Sequence, residues 1–311
     1  VSVEIDPNDM DEARRDALAE IGMTRASLGV QDFDPKVQQA LNRLQSFEAT
    51  RAVVDGVRAR GIASVNLDLL YGLPYQTQAS VADTVASALT LRPDRIALFG
   101  YAHVPWFKKH QTMIDPETLP NANARLEQAT RAAVIVAAAG YVPIGLDHFA
   151  LPGDSLAKAA DAGRLRRNFQ GYTDDRCETL IGLGPSSVSS YRQGYAQAVT
   201  STGEHARLVA AGSLPIARGV ALSDDDRLRA WVIERLMCDF GFDADALHDR
   251  FGAPAGAVIA QADRIAATEG LLQRDGRRFT VPRERQILVR SIAARFDSYL
   301  ATGNARHSTT V

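Results

Sequence analysis

Two carboxylates stand at positions where chemistry is expected: Glu4 in Val1-Ser-Val-Glu-Ile-Asp6, and Asp68 in Ser64-Val-Asn-Leu-Asp-Leu-Leu70. Both lie in strand-like apolar runs. Such a group can serve as a base, ligate a metal or accept hydrogen bonds from a ligand's amine or hydroxyls, or it can simply satisfy backbone groups in a turn. Gln31 brings an amide to the end of Ser27-Leu-Gly-Val-Gln31, as a ligand contact or as a satisfied buried amide. Arg43 follows in the next helix-like segment, where a guanidinium either pairs with a ligand carboxylate through two prongs or stays solvated. His103 and His148 lack the i, i+4 companion of a helical zinc pair, so neither is expected to hold a metal.

Arg166-Arg-Asn-Phe-Gln-Gly-Tyr172 combines two cations, two aromatics, two amides and a glycine without strand or helix periodicity. That composition suits a loop that binds a planar anionic ligand, and equally an ordinary surface loop. Gly182-Leu-Gly-Pro-Ser-Ser187 permits close backbone approach but is neither a dinucleotide fingerprint nor a phosphate loop. No G-x-S-x-G elbow is present. The two cysteines, Cys177 and Cys238, are far apart and form no C-x-x-C pair, which fits a reducing compartment and structural roles.

The elements that must position these residues alternate. Strand patterns over Val1–Asp6, Arg25–Gln31, Ser64–Leu70 and Arg95–Tyr101 are separated by helix patterns over Asp9–Ile21, Pro35–Leu44, Phe47–Arg60 and Ser80–Leu91. A helix over Ala122–Ala139 leads to a fifth strand at Val142–Leu146, and a sixth is expected in Leu180–Ser189. This order predicts a mainly parallel sheet in an α/β fold. Its strand carboxyl ends then share one face, the ligand face of barrels and open sheets. That face would collect Glu4, Gln31, Asp68, Tyr101 to His103, and Asp147 with His148.

The alternation is expected to cease after Ala196, dividing the chain into 1–195 and 196–311. Ser223-Asp-Asp-Asp caps a helix through Phe240, followed by helices at Ala244–Phe251 and Ala255–Glu269, a hairpin around Asp275-Gly276 and a helix over Glu284–Leu300. The second part therefore reads as mainly helical and winged-helix-like.

Composition sets outer limits. The chain has 311 residues, 46% apolar and 23% charged, with a net charge of −2, and so lacks the overall basicity that would attract nucleic acid or anionic lipid. No run approaches the roughly 18 apolar residues of a membrane span, and no signal peptide opens the chain, so the expected location is the cytoplasm.

Six strings in one order carry a resemblance: Val3-Glu-Ile-Asp-Pro7, Ser27-Leu-Gly-Val-Gln-Asp-Phe33, Asn66-Leu-Asp-Leu-Leu-Tyr-Gly-Leu-Pro74, Tyr101-Ala-His103, Gly145-Leu-Asp-His-Phe149 and Asn168-Phe-Gln-Gly-Tyr-Thr173. Together they resemble oxygen-independent coproporphyrinogen III oxidase, a radical S-adenosylmethionine family of haem biosynthesis. The last two strings separate it from the related haem chaperones. The resemblance implies a partial βα barrel, TIM-like and missing its first two strands, with a mainly helical C-terminal domain.

It also implies that Glu4, Gln31, Arg43, Asp68 and Ala102 contact S-adenosylmethionine, and that Phe169, Gln170 and Val188 lie near a second such molecule or the substrate. The implied reaction converts two propionates of coproporphyrinogen III to vinyls, giving protoporphyrinogen IX, with a reducing electron donor and the enzyme as a monomer. The family holds a [4Fe-4S] cluster through C-x-x-x-C-x-x-C, a pattern this sequence does not contain. The cluster ligands are therefore expected in a preceding segment and the chain alone is expected to be inactive. The alternative is a non-catalytic haem chaperone or tetrapyrrole-binding protein.

Overall fold

The computed structural model describes residues 1–300 and divides into two compact units, Val1–Asp161 and a second that begins at Ala162. Residues 301–311, the end of the expected C-terminal domain, lie outside the described residues.

In the first unit β1 (Ser2–Ile5), α1 (Glu12–Glu20), β2 (Arg25–Gln31), α2 (Pro35–Ala40), α3 (Phe47–Ala59), β3 (Ser64–Tyr71), α4 (Gln78–Thr90) and β4 (Arg95–Gly100) follow the sequence pattern closely. α5 (Ala122–Ala138), β5 (Val142–Ile144), β6 (His148–Ala150) and α6 (Ser155–Asp161) complete it. The sheet order is β1-β2-β3-β4-β6-β5, with β1 to β4 parallel and β6 antiparallel to both β4 and β5.

Each helix start has a local cause. Asp11, Asp34, Ser46, Thr77 and Asn121 accept from orphan N–H groups in the first turns of α1 to α5. The apolar faces then close one core. Ala26, Leu28 and Val30 of β2 and Val65, Leu67 and Leu69 of β3 meet Val53, Val54 and Val57 of α3, Val81 and Val85 of α4, and Ala132 and Val136 of α5.

The fifth expected strand is corrected in one respect. Val142–Leu146 is the first arm of a hairpin that turns at Gly145, where φ is +55°, and returns as β6. Gly145 supplies the left-handed conformation that the turn requires.

The second unit holds β7 (Arg166–Asn168), β8 (Gly171–Thr173), β9 (Val188–Tyr191), β10 (Gly194–Ala198), α7 (Thr202–Ala210), β11 (Ile216–Ala221) and α8 (Asp224–Asp239). It ends with β12 (Gly241–Asp243), α9 (Ala244–Phe251), α10 (Ala255–Glu269), β13 (Gln273–Asp275), β14 (Arg278–Thr280) and α11 (Val289–Ala294). Three expectations change here. The sixth strand is β9, paired antiparallel with β10 in a separate sheet β11-β10-β9, because a short hairpin closes locally and no crossover helix follows. Alternation continues past Ala196 through β10, α7 and β11, with Ser201 capping α7. The closing helix is broken into a 3-10 turn, Arg283–Leu288, and α11.

α8 begins with a full capping box between Ser223 and Asp226. α9 and α10 stand beside the sheet β12-β14-β13, the winged arrangement expected from the sequence.

Candidate active site

Parallel register assembles the first part of the site. Glu4 on β1 stands opposite Ser27 on β2, Ser27 opposite Asn66 on β3, and Gly29 opposite Asp68. A polar ladder results. Asn66 Nδ2 donates to Ser27 Oγ at 2.9 Å and to Asp68 Oδ1 at 2.8 Å, while Ser27 Oγ lies 3.5 Å from Asp68 Oδ2. The pKa of Asp68 is raised, first by burial, against hydrogen bonds from Asn66 and Ser27 and the charge of His148, which lower it. Glu4 is raised too, first by desolvation and then by the Asp68 charge, against its Ser27 hydrogen bond.

Gln31 reaches the same face by a distortion. Two residues, Gly29 to Gln31, advance against one step on β3, and Gln31 itself adopts φ +68°. A bulge of this kind re-aims a side chain, and a non-glycine residue in the left-handed region costs about 1–3 kcal/mol unless its surroundings impose it. The surroundings here are specific. Asp32, 1% exposed, accepts from Thr84 Oγ1 at 2.9 Å and from Gln76 Nε2, and its carbonyl accepts from Gln38 Nε2 at 2.8 Å. Burial raises the Asp32 pKa, against hydrogen bonds from the Asp34 N–H, Gln76 and Thr84.

Arg43 is corrected from a helix position to a turn beyond α2, where Asn42 has φ +50° and the Arg43 N–H donates to Gln38 O at 3.0 Å. The reversal sends the guanidinium back over β2. Its NH2 donates to Gly29 O at 2.9 Å and pairs with Asp6 Oδ2 at 3.0 Å. A Cβ at Gly29 would stand 3.1 Å from Gln31 Nε2 and 3.4 Å from Arg43 NH2, so the missing side chain is what lets amide and guanidinium converge. Arg43 Nε and Asn66 Oδ1 are buried without a hydrogen-bond partner among the described residues.

Around β4, the exposed Ala102 follows Tyr101, whose N–H donates to Tyr71 O at 2.8 Å. His103 Nδ1 lies 3.4 Å from the Tyr101 hydroxyl. His148, at the start of β6, holds Asp147 Oδ1 at 2.8 Å and stands edge-on to Phe99. The first unit thus brings together Glu4, Gln31, Arg43 and Asp68.

Phe169, Gln170 and Val188 belong to the second unit. Residues 166–172, aperiodic in sequence, form a β-hairpin, β7 and β8, with Phe169 and Gln170 at its exposed tip. Phe169 meets Tyr195 edge-on at 5.4 Å, and both line a cavity of about 290 Å³ with Arg167, Asn168 and Cys177. Val188 opens β9 opposite Gln197. Arg166 is committed to Glu234 at 2.8 Å, which leaves Arg167, stacked over Tyr172, as the more available cation of the pair.

Ser27 and Asn66 were missed as site residues. Period-two alternation from Asp68 puts Asn66 on its face, and parallel register adds Ser27, so the signal was present.

The polar groups suit a nucleoside that carries an amino acid with its amine and carboxylate free: two carboxylates for hydroxyls or the amine, a guanidinium for the carboxylate and an amide for polar edges. They do not suit an iron–sulfur cluster. Among the described residues no group of three or more His, Cys, Asp or Glu side chains could hold a metal ion. Cys177 is exposed, and burial pushes the Cys238 thiol up to about 12. Nor is any helix among the described residues long and apolar enough to cross a membrane.

Family models and relatives agree on this chain. Residues 1–88 match the radical SAM superfamily and residues 222–284 the HemN C-terminal domain. Oxygen-independent coproporphyrinogen III oxidase of Bradyrhizobium diazoefficiens is 50% identical over 313 residues, covering 100% of this chain and 70% of that protein. The protein of the same name from Paracoccus denitrificans is also 50% identical, covering 96% of this chain and 66% of its own length. Among solved structures, the coproporphyrinogen III oxidase HemN from Escherichia coli, described as a radical SAM enzyme, superimposes with a TM-score of 0.90 at 35% identity, over 96% of this chain and 70% of that one. The chain spans about two thirds of the length of these relatives, and it belongs to the oxygen-independent coproporphyrinogen III oxidase family of radical SAM enzymes in porphyrin biosynthesis.

Proposed function

We propose that the face formed by Glu4, Gln31, Arg43, Asp68 and Ala102 binds S-adenosylmethionine, and that the complete protein acts on coproporphyrinogen III. The observation that carries this reading is the desolvated carboxylate pair, linked through Ser27 and Asn66, beside the cradle at Gly29. Asp68 and Glu4 accept from ribose hydroxyls or the ammonium, Gln31 sets orientation and Arg43 takes the carboxylate with a nitrogen not already held by Gly29 and Asp6. The Ala102 peptide meets an adenine edge. In the second unit, Phe169, Gln170 and Val188 belong with a second cofactor molecule or the substrate.

When bound, S-adenosylmethionine supplies the hydrogen-abstracting chemistry of this family. Each of two propionates loses one hydrogen atom, one CO2 and one electron, the last to an electron acceptor, to become a vinyl group, giving protoporphyrinogen IX; a separate electron donor serves the cofactor, and the enzyme acts as a monomer in the cytoplasm. The residues described here supply no ligand set for the family's [4Fe-4S] cluster; their task is to bind and orient.

Calorimetric titration with S-adenosylhomocysteine, which needs no cluster chemistry, tests the reading. Saturable one-to-one binding that weakens in both Glu4→Gln and Asp68→Asn is expected. Absence of binding, or affinity indifferent to both substitutions, refutes it.

A further inference from the structure

The chain leaves the sheet at Tyr101, yet the three peptides from Tyr101 to Val104 are held by side chains from elsewhere in the first unit. Arg125, in the first turns of α5, donates from NH2 to Tyr101 O at 2.9 Å. Gln111 bridges the following two peptides, donating to Ala102 O at 3.1 Å and accepting from Val104 N at 2.6 Å. Gln111 is 8% exposed, and Arg125 Nε is buried without a hydrogen-bond partner among the described residues.

The passage for the Arg125 guanidinium is built from two glycines. A Cβ at Gly72 would stand 3.0 Å from Arg125 Nε, and one at Gly100 would stand 3.2 Å from Arg125 NH2 and 3.0 Å from the Tyr71 hydroxyl. Gly72 also has φ +83°, so its place is doubly restricted. Two strand ends therefore give up side chains to admit one cation whose directed contact among the described residues is the Tyr101 carbonyl.

Holding α5 against the strand ends does not require that cation. One turn along the helix, Gln128 accepts from Gly72 N at 2.9 Å and donates to Gln76 O at 3.0 Å. That buried pair joins α5 to the turn after β3 independently of Arg125.

We infer that Arg125 and Gln111 are positioning residues that fix the Ala102 peptide as a recognition edge for adenine. Gln111 occupies one lone pair of the Ala102 carbonyl, which leaves a second acceptor direction, while Arg125 sets the plane of the preceding peptide, the one that carries the Ala102 N–H. A donor and an acceptor so placed match the ring nitrogen and exocyclic amine of adenine. Inosine, with a carbonyl in place of that amine, does not match. The inference rests on the adenosyl-binding reading above and adds how the base is selected.

The test is titration of the full chain with S-adenosylhomocysteine, adenosine, inosine and methionine, comparing wild type with Arg125→Lys, Arg125→Met and Gln111→Ala. The substitutions are expected to weaken adenosine and S-adenosylhomocysteine by about tenfold, roughly one lost directed hydrogen bond. They should also narrow the preference for adenosine over inosine and leave methionine affinity unchanged. Thermal unfolding identifies folded variants; if Arg125→Met does not fold, Arg125→Lys and Gln111→Ala decide. An unaltered adenosine-to-inosine ratio in folded variants overturns the positioning role while leaving the binding face standing. A wild type that binds neither adenosine nor S-adenosylhomocysteine overturns both.

Discussion

Asp68→Asn is expected to make the free protein more stable and its ligand binding worse. Asp68 is half-buried, with its hydrogen-bond donors on Asn66 and Ser27 and the Glu4 charge nearby. Burial holds its pKa above the ordinary value. The folded chain thus keeps the proton more tightly than the unfolded chain does. The associated stability is fully present below the ordinary carboxylate range and is lost as pH rises through the folded pKa. At about pH 7 the ionised side chain is a net liability, and replacing it with a neutral amide should raise unfolding free energy by about 1 kcal/mol. Asn66 keeps an acceptor in the variant, because an asparagine oxygen replaces Asp68 Oδ1.

Binding should move the other way. A hydrogen bond to a charged acceptor contributes about 1.5–3 kcal/mol, so losing it weakens S-adenosylhomocysteine roughly 10- to 100-fold. Urea unfolding at several pH values, with calorimetric titration at neutral pH, reads both effects. The stability gain should shrink as pH falls, because wild-type Asp68 then becomes neutral as well. A variant that is destabilised at neutral pH, or whose stability difference does not change with pH, would show that the ladder holds Asp68 favourably as an anion and refute the reasoning.

Three further outcomes are expected. Gly29→Ala should leave unfolding free energy within about 1 kcal/mol, because the contacts are movable side-chain ends, yet weaken S-adenosylhomocysteine severalfold by parting Gln31 from Arg43, as titration and urea unfolding would show. Thiol labelling of the native chain should modify Cys177 alone, more slowly than a free thiol because its hydrogen bond to Asp175 raises its pKa, with Cys238 reacting only on unfolding. Ser223→Ala removes the side-chain half of the capping box on α8 and should cost about 1 kcal/mol in urea unfolding without changing S-adenosylhomocysteine affinity.

The first unit was legible because its strands and helices announce themselves through period and caps. β2 is read to the residue from Arg25 to Gln31, and α9 and α10 in the second unit are equally clear. What escaped was non-local or geometric. Arg43 looks like a helix residue until Asn42 reverses the chain, and no periodicity records a positive φ. β9 to β11 are short, interrupted by Ser, Gly, Gln or Arg, and paired with one another, so they lack the continuous apolar run that marks a buried strand. Glu4 and Asp68 were visible as carboxylates at strand ends, whereas Ser27 and Asn66 became site residues only once parallel register set them between those two.

Central parallel strands covered by helices are ordinarily apolar on both faces. β2 and β3 obey that rule on one face, with Ala26, Leu28, Val30, Val65, Leu67 and Leu69, and break it on the other with Ser27, Asn66 and Asp68. The same strand then distorts at Gln31 and is secured by the buried Asp32 contacts to Gln76, Thr84 and Gln38. Desolvated like charges and a left-handed glutamine each oppose folding, and the apolar face and the Asp32 network must offset them. A sheet that needed only stability would place aliphatic side chains at all these positions. Their concentration on one face of adjacent strands is what a ligand site requires, because donors and acceptors fixed before binding do not have to be ordered when the ligand arrives.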